Sequence, residues 1–161
     1  MQTLQFSELL EQSKKEIKIA DHLLHVTYAM VSEAKILLAV AGHVVNSARF
    51  SLEALLEFEK HWKRLDAYHP NFALEISIFR NKEIEKRYSF DPKFYRLLQK
   101  LLEIHRFDKE ALVRFKRGDK YILANGGYNL SVLDLESLKR YSGLTKKFVE
   151  NITNIIQNVK T

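Results

Sequence analysis

The chain has 161 residues, 46% hydrophobic and 29% charged, so we expect a single globular domain over residues 1–161 and not a disordered segment. The absence of cysteine excludes disulfide bonds, cysteine-ligated metals and thiol nucleophiles. The net charge of +6 permits contact with nucleic acid or an anionic membrane, although the sequence has no block of five or more consecutive cations.

Neither a signal peptide nor a membrane span is expected. The N-terminal residues lack a basic segment followed by an apolar run. No uncharged run reaches the roughly 20 residues that cross a bilayer; residues 36–48, for example, number thirteen. We therefore expect a cytoplasmic protein that does not contact membranes.

The first two predicted helices form an antiparallel hairpin. The first begins near Ser7, a residue type that caps helix N-termini, and ends near Val31. Ser32 is expected to cap a central helix that continues to about Trp62, and so short a turn makes the two helices antiparallel neighbours. The expected buried face of the first helix carries Phe6, Leu10, Ile17, Leu24 and Val31.

The central helix carries apolar or small residues on two faces, whereas a surface helix needs only one. One stripe contains Ala34, Leu37, Leu38, Ala41, Val44, Val45, Ala48, Leu52, Leu55 and Leu56. The second contains Ile36, Val40, His43, Ser47, Phe50 and Ala54. Such a helix is either the centre of a bundle or shares its second face with another subunit. Because the residues around His43 are small, we predict a homodimer through the second stripe.

The second half of the chain changes from helix to strand and back. A helix is predicted over residues 73–86, and another begins at Asp91-Pro92, where Asp caps and Pro occupies the first helical position. Residues 112–133 alternate between apolar and polar side chains around two glycine turns, which predicts a small β-hairpin insertion of two or three strands. A final helix begins near Asp134, runs to Val159, and is kinked or split at Gly143. The predicted fold is a mainly α, antiparallel up-and-down helical bundle with this insertion.

Six histidines raise the question of a metal site. His22 and His25 are three residues apart, and the hairpin would bring His43 to the height of His22. The helical angles, however, turn His22 and His43 in different directions, with His43 facing away from the hairpin seam. We therefore predict no metal and no cofactor.

The segment after the central helix carries Arg64 and His69 in the pattern R-x-x-x-x-H. Long antiparallel helices followed by this pattern, over residues 6–105, resemble the HEPN family of all-helical, usually dimeric domains. The resemblance implies a metal-independent ribonuclease in which Arg64 would stabilise the phosphate charge and His69 would act as general acid or base. Active members tend to carry a polar residue directly after the arginine, where this chain has Leu65, so we expect a non-catalytic member.

A cationic cluster occupies the predicted hairpin. Arg114, Lys116, Arg117 and Lys120 surround Phe115 and Tyr121. Cations with aromatic rings can hold phosphates and stack bases, so this cluster is a candidate RNA or DNA surface. Alternation places Arg114 and Lys116 on one face of the strand, with Val113, Phe115 and Arg117 on the other. A solvated strand face over a helical core explains the same residues without binding.

Three functions remain open from the sequence. The leading one is a non-catalytic, HEPN-like module acting by association, with itself or with a nucleic acid or protein partner. The alternatives are the ribonuclease using Arg64 and His69, and a purely structural protein-interaction domain. The sequence does not indicate a small-molecule ligand.

Overall fold

The computed structural model describes residues 2–127 and 129–158, with side chains from residue 5 onwards. The chain is mainly α, as predicted, with a small antiparallel sheet inserted before the last helix. None of the described helices combines the length and apolar character that a membrane crossing requires. Val159, expected on the final helix, lies outside the described residues. The elements are α1 (Gln2–His22), a π-helical turn (Leu23–Thr27), α2 (Tyr28–Val31), α3 (Lys35–His61), α4 (Phe72–Asn81), α5 (Ile84–Arg87), α6 (Pro92–Glu110), β1 (Val113–Arg117), β2 (Lys120–Ala124), β3 (Leu130–Leu133) and α7 (Leu135–Asn158).

The predicted helical hairpin is present, with α1, the π-helical turn and α2 forming one arm and α3 the other. The first arm begins at Gln2, before the expected Ser7. Ser32 has a φ of +48°, and its N–H donates to the Tyr28 carbonyl at 2.8 Å. The expectation that Ser32 caps the N-terminus of α3 is therefore wrong. It ends α2 in a left-handed conformation, and Ala34 precedes α3.

The π-helical turn changes which residues of the first arm face the core. It is closed by the Tyr28 N–H, which donates to the Leu23 carbonyl five residues earlier. Such a turn inserts one extra residue and rotates everything that follows it. Leu24 is 2% exposed, whereas Val31, expected on the same buried face, is 55% exposed. The expectation for Val31 is wrong because the helical period changes between the two residues.

Helix α3 is the central element of the bundle. Helices α1, α4, α6 and α7 and strands β2 and β3 all pack against it. Both of its stripes are buried, since Leu52 and Leu55 from one and Val40 and Ala54 from the other are inaccessible to solvent. Burying one leucine side chain contributes about 1.5–3 kcal/mol, so this helix is the main source of core stability. The chain's own elements fully cover Val40, Ser47 and Ala54 of the second stripe and leave its other members half-buried.

Side-chain caps set where the later helices begin. The Asn71 Oδ1 accepts the Leu74 N–H at 2.8 Å at the start of α4. The Asp91 Oδ1 accepts the Lys93 N–H at 2.9 Å at the start of α6, as the Asp-Pro pair predicts. The helix predicted over residues 73–86 is instead two helices, α4 and α5. Glu83, with a φ of +61°, separates them because a left-handed residue cannot continue a right-handed helix.

Four phenylalanines join α4, α6 and α7. The ring of Phe148 on α7 lies 5.9 Å from Phe79, 5.6 Å from Phe90 and 5.6 Å from Phe94, measured between centroids. Phe79 and Phe90 meet edge to face at 5.1 Å. Aromatic pairs in such geometry add about 0.5–1.5 kcal/mol beyond the burial of their area. This cluster fixes α7 on the bundle. Helix α7 continues through Gly143 as one helix, so the predicted split at this glycine does not occur.

The inserted strands form one antiparallel sheet in the order β1-β2-β3. A two-residue turn joins β1 to β2, with Gly118 at a φ of +63°, where a residue without a Cβ is favoured. Strands β2 and β3 pack on α3 and α6, whereas β1 packs on β2. The sheet therefore lies on the bundle with β1 at its outer edge.

Candidate functional site

The expected dimer stripe of α3 lies largely inside the protomer. Val40, Ser47 and Ala54 have no exposed surface in the single chain, and the other three members are half-buried. A second subunit could not reach the three buried side chains without opening the bundle. Other elements of the same chain cover these three residues, and the dimer interface stays a prediction for Ile36, His43 and Phe50.

Two polar contacts join this stripe to α1. The Ser47 hydroxyl donates to the Ser13 carbonyl at 2.8 Å, and the Ser13 hydroxyl donates to the Ser47 carbonyl at 2.7 Å. Near the same level, the Nδ1 of His43 contacts a carboxylate oxygen of Glu16. His43 therefore lies at the α1–α3 seam. The prediction from its helical angle, that it faces away from this seam, is wrong. Its polar partner comes from its own chain.

Arg64 follows the end of α3 and pairs with a buried carboxylate. Its Nε donates to the Oε2 of Glu59, a residue with no exposed surface, and its Nη2 donates to the Tyr88 hydroxyl at 3.0 Å. The Nη1 of Arg87 donates to the same Glu59 oxygen at 3.1 Å. The Glu59 Oε1 has no hydrogen-bond partner among the described residues. Arg64 thus neutralises a buried charge that would be costly to leave unpaired.

His69 lies in the loop before α4. It is exposed, and no hydrogen bond or ring contact joins it to Arg64 in the described part of the chain. The open depression beside Arg64, of about 420 Å³, is lined by Tyr68 and Ile78 among others but not by His69. A cation and a general acid that act on one phosphate must face the same cavity. His69 is not among the residues that line the depression beside Arg64, and a joint catalytic role for the two residues stays a prediction.

Glu75 on α4 is a buried carboxyl that the sequence analysis missed. It is 4% exposed and accepts a hydrogen bond of 2.8 Å from the Tyr68 hydroxyl. Burial raises the pKa of Glu75 to about 7, against the opposing effect of that hydrogen bond. The signal was present in the sequence, since Glu75 lies three residues after Phe72 and directly before Ile76, on the apolar face of the helix.

The charges of Glu53, Glu57 and Arg49 act on this carboxyl, and two further groups have shifted pKa values. Burial, and then the nearby Glu57, raise the pKa of Glu53. Burial, and then Arg49, lower the pKa of His105. Clustered pKa shifts are one mark of a functional site. With 4% of its surface exposed, however, Glu75 cannot touch a substrate, so its hydrogen bond serves to hold the loop against α4.

The strand register assigns the cationic residues to two faces of the sheet. Residues directly opposite each other in an antiparallel pair project to the same side. Arg114 and Lys116 stand opposite Leu123 and Tyr121, which belong to the core cluster, so they lie on the inner face. The two faces of β1 are those that alternation predicts. The outer face carries Val113, Phe115, Arg117, Lys120, Ile122, Ala124, Leu130 and Val132.

The apolar part of this surface is called here the outer sheet face, defined by Val113, Phe115, Ile122, Ala124, Leu130 and Val132. Phe115, Ile122 and Val132 form a row across the three strands. Val132 is 45% exposed and Leu130 50%, so the described helices do not cover this side. Ile122 is buried, yet it lies outside the core cluster, which indicates that its neighbours on the sheet shield it. A contiguous exposed apolar surface is typical of an interaction site.

Three of the four predicted phosphate-binding cations are unpaired in the described structure. The fourth, Arg114, is paired: its Nη1 contacts the Asp108 carboxylate and its Nη2 donates to the Asp108 carbonyl at 2.6 Å. Lys116, Arg117 and Lys120 are exposed, and no ion pair to a described residue is found for them. Arg117 and Lys120 extend the outer face at its turn end, and Lys116 lies on the inner side of the edge strand.

A second cationic surface is a groove of about 590 Å³ between α1 and α7, called here the α1–α7 groove. Ile17 and Val149, both buried, form its floor. The rim carries Lys14, Lys15, Lys18 and Lys146 together with the carboxylates of Glu11, which pairs with Lys14, and Glu150. Sequence patterns could not reveal this groove because its cations come from the two ends of the chain, which only the fold brings together.

The histidines do not gather around a common point. His22 is exposed, and the Nε2 of His25 lies 3.3 Å from an Asp21 carboxylate oxygen on the same helix. Among residues 2–127 and 129–158, no group of three or more histidine or carboxylate side chains is placed to hold a metal ion. Comparisons with models of known protein families, with curated proteins and with solved structures found no significant match for this chain.

Proposed function

We propose that this protein is a non-catalytic, HEPN-like helical module that acts by association, and that the outer sheet face is the surface that associates. The observation that carries the proposal is that Phe115, Leu130 and Val132 are exposed on the same side of the sheet, which the described helices leave uncovered. A partner that buries this row would remove apolar surface from water, at about 25 cal/mol per Å². The antiparallel pairing of α1 with α3 supports the HEPN-like part of the proposal.

The candidate catalytic groups support a non-catalytic role. Arg64 is engaged by Glu59 and Tyr88, so its guanidinium is not free to bind a phosphate. His69 lies outside the depression beside Arg64. Glu75, with the most shifted carboxyl pKa, is buried beyond the reach of a substrate.

Phe115→Thr tests the docking surface, because it removes the central ring and keeps a residue that favours strands. A partner captured from cell extract by the wild-type chain is purified, and its affinity for each variant is measured by calorimetry. We expect Phe115→Thr to bind about tenfold more weakly or worse, as for an aromatic residue at the centre of an interface. Leu74→Gln is the matched control, since Leu74 is exposed to a similar degree on α4. Equal affinities for all three chains would contradict the proposal.

The non-catalytic part is tested with RNA in EDTA. We expect no cleavage above background by the wild type or by His69→Ala. Arg64→Ala should lower the free energy of unfolding by about 1–3 kcal/mol, because Glu59 loses one of its two cationic partners. The exposed His69→Ala should change it by less than about 0.5 kcal/mol. Metal-independent cleavage that His69→Ala abolishes would establish the ribonuclease alternative instead.

A further inference from the structure

Strand β1 is an open edge of the sheet. The strand order gives it one neighbour, β2, and all five of its residues are exposed. Along such an edge, every second residue turns its N–H and C=O away from the paired strand. Unpaired groups of this kind are a template for another strand. The edge therefore offers main-chain hydrogen bonds to an incoming extended segment.

The charges on this edge disfavour a second copy of the same chain. Residues 113–120 contain four cations and one carboxylate. If two β1 strands paired antiparallel about Lys116, the unpaired Lys116 of one copy would face Lys116 of the other. Like charges directly opposite each other destabilise a strand pair. A strand with carboxylates opposite Arg114 and Lys116 would instead be stabilised, chiefly by Lys116, since Arg114 already pairs with Asp108.

The apolar side chains of β1 favour a particular kind of added strand. Val113 and Phe115 point to the outer sheet face, so the alternate residues of an added strand would extend that face. Phe115 is the one aromatic residue among the six that define the outer sheet face, whereas single-stranded nucleic acids are held by stacking on several aromatic rings. Aliphatic neighbours suit apolar side chains better than bases.

We infer that β1 binds, by strand addition, an extended acidic segment of a partner protein whose alternate residues are apolar. Carboxylates of the segment lie beside Lys116 and Arg114, and its apolar residues lie beside Val113 and Phe115. The inference rests on the proposed function and names the class of partner for the same surface.

A fluorescein-labelled peptide of about eight residues that alternates glutamate and valine provides the probe, and anisotropy gives its affinity. Two matched peptides are controls, one with lysine in place of glutamate and one with a central proline that removes a main-chain donor. We expect the acidic peptide to bind best and to weaken as salt rises from about 0.05 to about 0.3 M. Hydrogen–deuterium exchange should show protection of β1 amides in the complex.

Variants of the whole chain locate the binding. Lys116→Glu should weaken the acidic peptide by about tenfold and strengthen the lysine peptide, with Lys116→Gln intermediate. Lys15→Glu, in the α1–α7 groove, is the matched control and should leave both affinities unchanged. Circular dichroism melting of each variant confirms that the fold is retained.

Several results would overturn the inference. Equal binding of the acidic, lysine and proline peptides would do so, as would unprotected β1 amides in the complex. Loss of binding in Lys15→Glu but not in Lys116→Glu would assign the acidic segment to the α1–α7 groove. Tighter binding of a single-stranded oligouridylate, lost in Lys116→Glu, would assign the edge to nucleic acid. If Phe115→Thr loses its partner and the acidic peptide still fails to bind, this inference falls while the proposed function stands.

Discussion

Two glutamates are buried in the described part of the chain, and they differ in their partners. Glu59 faces the guanidinium groups of Arg64 and Arg87, whereas Glu75 faces the neutral hydroxyl of Tyr68. Glu75 has no ion-pair partner among the described residues, and burial outweighs the opposing Tyr68 hydrogen bond and Arg49 charge, so the pKa of Glu75 rises to about 7. Stability should therefore depend on pH through Glu75.

We expect the wild type to become less stable as pH rises, and we expect Glu75→Gln to lack this pH dependence. The folded pKa of about 7 lies above the ordinary value of 4.5, so the stabilising contribution is complete below pH 4.5 and disappears as pH passes 7. Glutamine keeps an oxygen for the Tyr68 hydroxyl and does not titrate. Between pH 5 and 8 the wild type should lose up to about 3 kcal/mol relative to Glu75→Gln, measured by urea unfolding. Glu110→Gln, at an exposed site, should follow the wild type, and parallel curves for all three chains would refute this account.

At the scale of the element, substitutions in α3 can test whether its second stripe belongs to the core of the protomer or to a subunit interface. Ala54 has no exposed surface, so Ala54→Leu must overpack the bundle and should cost about 1–3 kcal/mol. Ala67→Leu makes the same change at an exposed position of the loop before α4 and should be nearly neutral. Thermal melts at two protein concentrations check this, because core damage shifts both melts equally. A shift for Ala54→Leu that appears at one concentration only would place Ala54 in an interface after all.

The two stripes of α3 show how far sequence periodicity reaches. Periodicity identified both faces of the helix, and Leu52 and Ala54 are buried on them as apolar positions should be. It could not say what covers the second face, because a neighbour from the same chain and one from another subunit bury identical residues. The misplacement of Val31 has a similar cause, since no residue type marked the π-helical turn that precedes it. Local chemistry was more reliable, and the cap at Asp91 is as predicted.

The sheet illustrates the same limit for the candidate site. Alternation correctly separated Arg114 and Lys116 from Val113 and Phe115. It could not tell which side the helices would cover, because that depends on where β2 and β3 land on the bundle. The cationic side of β1 faces inward at the edge, and the apolar side faces out. The candidate surface therefore changed from a phosphate-binding ribbon to an apolar face with a cationic rim.

At the scale of the whole molecule, most of the exposed large apolar side chains of the described residues gather in two places. One is the outer sheet face, and the other is the end of the α1–α3 hairpin. Val26 and Met30 are exposed there, and Met30 is 79% exposed, the highest value among large apolar residues of the described chain. An apolar depression of about 460 Å³, lined by Ile36 and Ala39 among others, adjoins the turn. Ile36, half-buried, is the member of the predicted dimer stripe that a second chain could reach at this end.

We expect the homodimer predicted from the sequence to form through this second apolar surface. We expect light scattering at micromolar concentration to report a dimer, and Met30→Lys to shift it toward monomer, because the charge would have to be desolvated at the interface. A stable dimer buries about 1,200–2,000 Å², so polar residues around the hairpin end must contribute the rim. Leu74→Lys places the same charge on α4 and should leave the dimer intact. Monomers at every concentration would exclude self-association, and a dimer sensitive to Phe115→Thr but not to Met30→Lys would assign it to the outer sheet face. That last result would contradict a division of roles in which the hairpin end binds a second copy and the outer sheet face binds a partner protein.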